Sequence, residues 1–155
     1  MPSKVTVKDT GYDRLLARLK ASGKPVLTVG IHEDDGSEEH DGGDGLTVAD
    51  VAAINEFGLG VPERSFLRST VDENRDKYRE LERRIGRAVI LGKLASAEQG
   101  YGQLGALVVG DVQRKIASGV PPANAASTVA RKGSSTPLVD SGQMRAAVTS
   151  RVNKS

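Results

Sequence analysis

Val51-Ala-Ala-Ile-Asn-Glu-Phe-Gly-Leu-Gly-Val-Pro-Glu-Arg-Ser-Phe-Leu-Arg68 is the stretch around which the chain is arranged. Val51, Ile54 and Phe57 recur at three-residue steps and so share one face of a short helix running from Val48 to Phe57. Gly58 and Gly60 end that helix, because only glycine enters the left-handed backbone region without steric cost. Pro62 fixes the direction of exit. Phe66 and Leu67 then stand between Arg64 and Arg68 at the start of a second helix. Phe57 and Phe66 are the only two phenylalanines in the protein. Aromatics this scarce are expected where two elements lock together.

The second helix, beginning at Glu63 or Ser65, is expected to be the longest. Leu67, Val71, Asn74, Tyr78, Leu81, Ile85, Ala88, Gly92 and Ala95 alternate steps of three and four, a heptad-like stripe over about thirty residues. So narrow a seam packs against another helix, in the same chain or in a neighbour. Arg75, Lys77, Arg79, Glu80, Glu82, Arg83, Arg84 and Arg87 fill the intervening positions and read mostly as a solvent face. Gly100 to Gly102 is expected to interrupt. Leu104, Val108, Val112 and Ile116, joined by Leu107, then form the stripe of a further helix.

Upstream, Lys4 to Lys8 alternates apolar and polar residues as a short strand does. Tyr12, Leu15, Leu16 and Leu19 form one face of an amphipathic helix that Gly23 ends. Val26 to His32 is β-branched and apolar, the clearest strand in the chain. Residues 33–45 are glycine-rich, acidic and without period, and so predict a long loop or hairpin tip. Thr47 is the expected N-cap of the helix that follows, with Asp50 supplying a short-armed capping box. Downstream, residues 118–142 hold three of the six prolines, many small residues and no period. A structureless stretch of this length is uncommon inside a domain, so it reads as a functional arm or a segment that orders on assembly. Asp140 or Ser141 is expected to cap a short helical piece at Gln143 to Arg145. Ala146 to Val152 alternates as a closing strand that should pair with Val26 to His32.

The expected fold is therefore a single α+β domain spanning residues 1–155. It has a small antiparallel or mixed sheet packed with one long and several shorter helices, plus an extended C-terminal arm. At this length a chain buries roughly 70% of its unfolded surface, enough for a core without staples. There is no cysteine, which excludes disulfides and thiolate chemistry. No apolar run has the form of a signal peptide or approaches the roughly 20 residues of a membrane span, so a soluble protein, intracellular when made, is expected. Net charge is only +2, but it is unevenly placed. Glu33 to Asp44 holds seven acids and no Lys or Arg, whereas Asp111 to Ser155 holds seven Lys/Arg against two acids. Such polarity can set the direction of a head-to-tail contact.

Candidate chemistry is sparse. Gly100-Tyr-Gly-Gln-Leu-Gly105 spells G-x-G-x-x-G, yet a dinucleotide site needs a strand before it and an acid about 20 positions after. Here a helix precedes, Asp111 is too near and Asp140 too far, so a glycine connector between two helices is expected. His32, His40 and the acids of residues 33–45 could gather around a cation, but their spacing fits no calcium loop, and a solvated acidic loop is favoured. Arg131-Lys132-Gly133-Ser134-Ser135 lacks the context of a P-loop and reads as a basic arm meeting an acidic neighbour or lying near DNA. There is no G-x-S-x-G elbow, and both histidines stand in or beside the acidic loop. No catalytic residue, cofactor or metal is expected, and the chain does not read as an enzyme.

Two stretches together resemble a known family. Ala52 to Arg68, with a helix ending in N-E-F-G followed by a proline and an arginine-flanked aromatic, is similar to the small neck and tail-completion (head–tail joining) proteins of long-tailed bacteriophages. Pro121 to Arg145 resembles the same family's arm, with S-T-V-A-R-K-G, P-L-V-D-S-G and Q-M-R in order. Val29-Gly-Ile-His-Glu-Asp-Asp-Gly36 resembles the family's strand and the variable glycine-containing loop after it. The likeness covers about Val26 to Val152. It departs where Glu63 and Ser65 replace a small residue and a proline, and in the length of the acidic loop.

The resemblance implies a structural virion protein of the neck or tail end. Its copies would form a ring, of sixfold symmetry, that completes the tail or joins it to the head around the DNA channel. A tail-terminator ring capping the tail tube is the near alternative, and a nucleic-acid-binding module using the basic C-terminal third is one of another class. Implied partners are further copies of itself, neighbouring neck, head-connector, tail-terminator or tail-tube proteins, and DNA passing without sequence-specific contact. No membrane is implied. The expected location is the virion, with the host cytoplasm during assembly. The residues expected at interfaces are Phe57, Arg64, Phe66, Leu67, Arg68, Arg131, Lys132, Gln143 and Arg145. Arg64 and Arg68 are expected to reach the adjacent subunit.

Overall fold

The every-fourth-residue stripe Leu104, Val108, Val112 and Ile116 belongs to the helix on which the other elements pack. The structure, a computed structural model, describes residues 10–42, 45–132, 138 and 142–154. In chain order they form α1 (Thr10–Ser22), β1 (Pro25–Ile31), α2 (Glu33–Gly36), α3 (Val48–Phe57), α4 (Leu67–Glu73), α5 (Arg75–Ile90), α6 (Ala97–Ser118), α7 (Ala126–Lys132), α8 (Gln143–Ala146) and β2 (Val148–Lys154). This is the α+β arrangement the sequence predicts, with a small antiparallel sheet and helices of unequal length. The strand expected at Lys4–Lys8 lies outside the described residues.

α6 carries the core. All four stripe residues are buried, and Leu107 packs beside them. On one side lies the ribbon of β1 and β2, antiparallel with Leu27 opposite Val152, Val29 opposite Ser150 and Ile31 opposite Val148. The alternation of β1 turns Leu27, Val29 and Ile31 toward the core and leaves Val26 and Thr28 exposed. A two-stranded ribbon is marginal alone in water, so its order depends on that packing. On another side α5 runs antiparallel to α6, as Lys77 beside Asp111 and Ile85 beside Gly100 require. Tyr78, Ile85 and Val89 of α5 are buried.

The glycines of the G-x-G-x-x-G run do not interrupt this helix, contrary to the expected connector. α6 begins at Ala97, where the Ser96 hydroxyl accepts the Gln99 N–H, and runs through Gly100, Gly102 and Gly105 without a break. A Cβ on Gly100 would lie 2.4 Å from Ile85 Cγ2, and one on Gly105 would lie 2.7 Å from Ser150 Oγ. Glycine stands at these positions because α5 and the ribbon approach the α6 backbone too closely for a side chain.

The long second helix is corrected as well. It is two helices, α4 of 7 residues and α5 of 16, and the longest is α6 with 22. The break falls at Asn74, inside the heptad-like stripe. Its side-chain amide donates to the Thr70 carbonyl at 2.9 Å, the same oxygen its backbone N–H needs, and its backbone leaves helical geometry at φ −107°, ψ 12°. Gly92 and Ala95 lie beyond the end of α5, in the connection to α6. The seam does find a helix partner, and the partner is in the same chain.

The acidic stretch is less open than expected. Its first residues form the single turn α2, Glu39 bridges Thr47, and the His40 N–H reaches the Leu46 carbonyl at 2.8 Å. The capping box of α3 is complete. Thr47 Oγ1 accepts the Asp50 N–H at 3.1 Å, and Asp50 Oδ2 accepts the Thr47 N–H at 3.0 Å. Gly58 ends α3 at φ +67°. The described part of residues 118–142 is not structureless either. Val120 is buried, α7 occupies Ala126–Lys132, and Leu138 packs against the core. The caps expected from Asp140 or Ser141 fall outside the described residues.

Candidate functional site

The stretch Val51–Arg68 folds into a joint, but its organising residue is Glu56. The buried positions of α3 are Val48, Ala52 and Glu56, each four residues on from the last. That face is rotated away from the one marked by Val51, Ile54 and Phe57. Phe57 is therefore 58% exposed, while Phe66 is 3% exposed in the core. The expectation that both rings lock the joint holds for Phe66 and fails for Phe57.

Glu56 holds the joint through its carboxylate. Oε2 accepts the backbone N–H groups of Phe66 at 2.8 Å and Leu67 at 2.9 Å. Oε1 accepts the Arg68 N–H at 3.0 Å, the Ser65 hydroxyl at 2.8 Å and Arg68 Nε at 3.0 Å. The three N–H groups are those at the start of α4, which have no partner inside the helix. A carboxylate suits them twice over, by accepting their hydrogen bonds and by opposing the positive end of the helix dipole. Burial works against the charged form. The N–H groups of Leu67 and Arg68, the Ser65 hydroxyl and the Arg68 guanidinium outweigh it and hold Glu56 below its ordinary value of 4.5. This contribution to stability is complete above the ordinary pKa and is lost as pH falls through the lowered one.

The two arginines turn inward. Arg64 is buried, donating from Nε to the Pro122 carbonyl at 2.9 Å and from Nη2 to the Ala123 carbonyl at 3.3 Å. It fastens the start of the arm to the joint. Arg68 reaches the Glu56 carbonyl oxygen at 2.7 Å and Glu63 Oε1 at 2.8 Å, and its guanidinium lies 5.0 Å from the centre of the Phe57 ring. Within the chain both arginines are thus engaged, Arg64 buried on two carbonyls of the arm and Arg68, half exposed, on the joint. Leu67 is half-buried against the core. Gln143 joins α8 to the acidic stretch by accepting the Asp41 N–H at 3.1 Å. Arg145 is exposed. Arg131 and Lys132 close α7, and their side chains lie outside the described residues.

A groove of about 830 Å³ runs between α3 and the arm, with Val51, Ile54, Leu59 and Val61 on one wall and Pro122 to Ala125 on the other. Asn124 Nδ2 is buried without a hydrogen-bond partner among the described residues. Of the ionisable residues among those lining the groove, His40, Asp41 and Arg64, the arginine is already engaged by the arm.

A second polar cluster forms where the acidic stretch meets the ribbon. The Thr149 hydroxyl donates to Asp35 Oδ2 at 2.6 Å and so accepts from His32 Nδ1 at 2.8 Å. Arg151 pairs with Asp34 at 3.0 Å and Asp35 at 3.2 Å. The Thr149 hydrogen bond holds Asp35 below its ordinary range. His32 and Asp35 are therefore docked on β2, a correction to the fully solvated loop. Thr149 has its proton directed at a carboxylate, a closing contact between β2 and α2. Among the described residues no group of three His, Asp or Glu side chains is placed to hold a metal ion. No described helix is long and apolar enough to cross a membrane. Of the seven cations after Asp111, Arg114, Lys115 and Arg151 are paired with acids of the same chain.

Only one signal for Glu56 was available in the sequence, its spacing of four and eight residues from Ala52 and Val48. Comparison with protein-family models, with curated protein sequences and with solved structures returned no match.

Proposed function

We propose that this chain is a structural protein of a bacteriophage neck or tail end, acting as a ring subunit that completes the tail or joins it to the head. The observation that supports this reading most directly is the convergence of the two stretches that carry the resemblance. Asn55-Glu-Phe-Gly58 and Ser65-Phe-Leu-Arg68 meet at the Glu56 carboxylate, and Pro122-Ala123 of the arm docks on Arg64 between them. Residues far apart in sequence thus build one shaped joint, with charges used for positioning and none left poised for chemistry. Work of this kind is done by surfaces. The joint sets the angle between α3 and α4, and through it the direction of the α5–α6 hairpin in each subunit. DNA would pass such a ring without being read, since three cations of the basic C-terminal third are held in internal ion pairs.

The test is genetic and structural together. A phage lacking this chain is expected to accumulate separate heads and tails, and electron microscopy of the complemented virion should place the tagged protein at the neck or tail end. Normal joined virions without the protein would overturn the proposal.

A further inference from the structure

Two apolar patches stand at opposite ends of the molecule. One is the turn after α3, where Phe57, Leu59 and Val61 are exposed within five residues, Leu59 by 60%. The other is the end of α5, where Ile90 and Leu91 are exposed, Leu91 by 54%. The α5–α6 hairpin separates them. Lys115 meets Glu73 at the end nearer the joint, Gly100 packs on Ile85 toward the other, and α5 alone is about 24 Å long. Large exposed side chains are unremarkable singly. Of the nine that are exposed among the described residues, five fall in these two groups, and grouping of this kind marks contact sites.

Arg68 over the Phe57 ring is paired with both Glu56 and Glu63, so the unpaired charge beside the two patches is of opposite sign. Asp41 lines the groove beside Leu59 and Val61, and Glu39 lies next to it through the Gln143 amide, which donates to the Glu39 carbonyl at 3.5 Å. Glu38, Glu39 and Asp41 are exposed and make no ion pair among the described residues. At the other pole Arg87 and Lys93 flank Ile90 and Leu91, exposed and likewise without an ion pair among the described residues. Arg18 adds a third cation there, donating to the Ile90 carbonyl at 3.3 Å.

We infer that the acid-rimmed patch Phe57–Leu59–Val61 binds the base-rimmed patch Ile90–Leu91 of a second copy of this chain. The two surfaces differ, so the contact is heterologous and each bound copy presents a fresh patch to the next. An isologous dimer through either patch would set like charges face to face, at a cost in affinity. This contact deepens the ring reading by naming the surfaces through which a ring would close, and it rests on that reading only for the closure.

The test uses full-length protein and light scattering after size exclusion. The parent chain is expected to associate beyond the monomer, more weakly as salt rises. Leu59→Glu and Leu91→Glu should each weaken association by about thirtyfold or more, the size of an interface hot spot, with unchanged circular dichroism melts. Mixed in equal amounts they should give a dimer and nothing larger, because one keeps the acidic patch and the other the basic patch. Asp41→Lys with Glu39→Lys should weaken association, and adding Arg87→Glu and Lys93→Glu to the same chain should restore it. A monomeric parent, single variants that assemble as the parent does, or a mixture that stays monomeric would each overturn the contact. Failure here with unjoined heads and tails in the deletion phage removes the contact and leaves the neck assignment. Success here with normal virions does the reverse.

Discussion

Glu56 and Asp111 are both buried carboxylates, and they are satisfied by different kinds of donor. Around Glu56 the donors are mostly main-chain N–H groups, fixed by the geometry of α4. Around Asp111 they are side chains, with Lys77 Nζ at 2.7 Å, Tyr78 Oη at 2.8 Å and the Arg114 guanidinium. Lys77 and Arg114 come from the solvent side and can swing back into water, and a hydroxyl can turn from donor to acceptor. A helix terminus can do neither. The first carboxylate is therefore held to one arrangement, and the second belongs to an adaptable clasp between α5 and α6. Tyr78 registers the clasp in its own ionisation, since burial and the adjoining Asp111 charge push its hydroxyl well above the ordinary tyrosine range.

The largest effect expected is at Phe66, whose N–H the Glu56 carboxylate accepts and whose ring the joint buries. Phe66→Ala should cost about 3–5 kcal/mol in urea unfolding. A loss near the surface range of about 0.5 kcal/mol would mean that the joint is not where the core closes.

Glu56→Gln sharpens the comparison. Both carboxylate oxygens face N–H donors, so either orientation of the amide sets an NH₂ group against one of them. A cost of about 3 kcal/mol is expected from donors left buried and unpaired. The same variant should flatten the acid limb of the stability curve. In the parent, Glu56 and Asp111 have lowered pKa values, so stability present above the ordinary carboxylate range is lost as pH falls through the lowered ones. An acid limb that Glu56→Gln leaves unchanged would show that the carboxylate is not ionised in the joint.

Asp111→Asn should cost less, about 1 kcal/mol, because Tyr78 can reorient and the two exposed cations can rehydrate. Equal costs at the two sites would break the distinction between fixed and mobile donors. The smallest effect belongs to the free acids. Replacing Glu33, Glu38, Glu39 and Asp41 together by their amides should change the stability of the monomer by no more than about 0.5 kcal/mol. A large fall in melting temperature would place those side chains in the packing rather than at its edge.

Periodicity made much of the fold legible. The stripe of α6, the pairing of β1 with β2, the start and stop of α3 and the helical turn at Gln143 all follow from apolar spacing, capping chemistry or glycine. The joint was legible as a place and not as a mechanism. Phe57 drew attention because it is large and apolar, yet it stays exposed, with Arg68 against one face of its ring. Glu56 escaped because a carboxylate reads as solvated until its donors are known, and those donors begin ten residues later in a different helix. Gly100 escaped for a related reason, since a glycine that admits Ile85 and a glycine that ends a helix are the same letter.

The sequence by itself determined the helical character of α1, α3 and α5 and the strand character of β1 and β2, because that information lies within one turn or one pleat of each residue. Only tertiary structure decided which face of α3 is buried, that Asn74 divides one stripe into two helices, and that Arg64 holds the arm. Each of those outcomes depends on a main-chain or side-chain group brought in from another element, and its energy does not exist until the two elements meet.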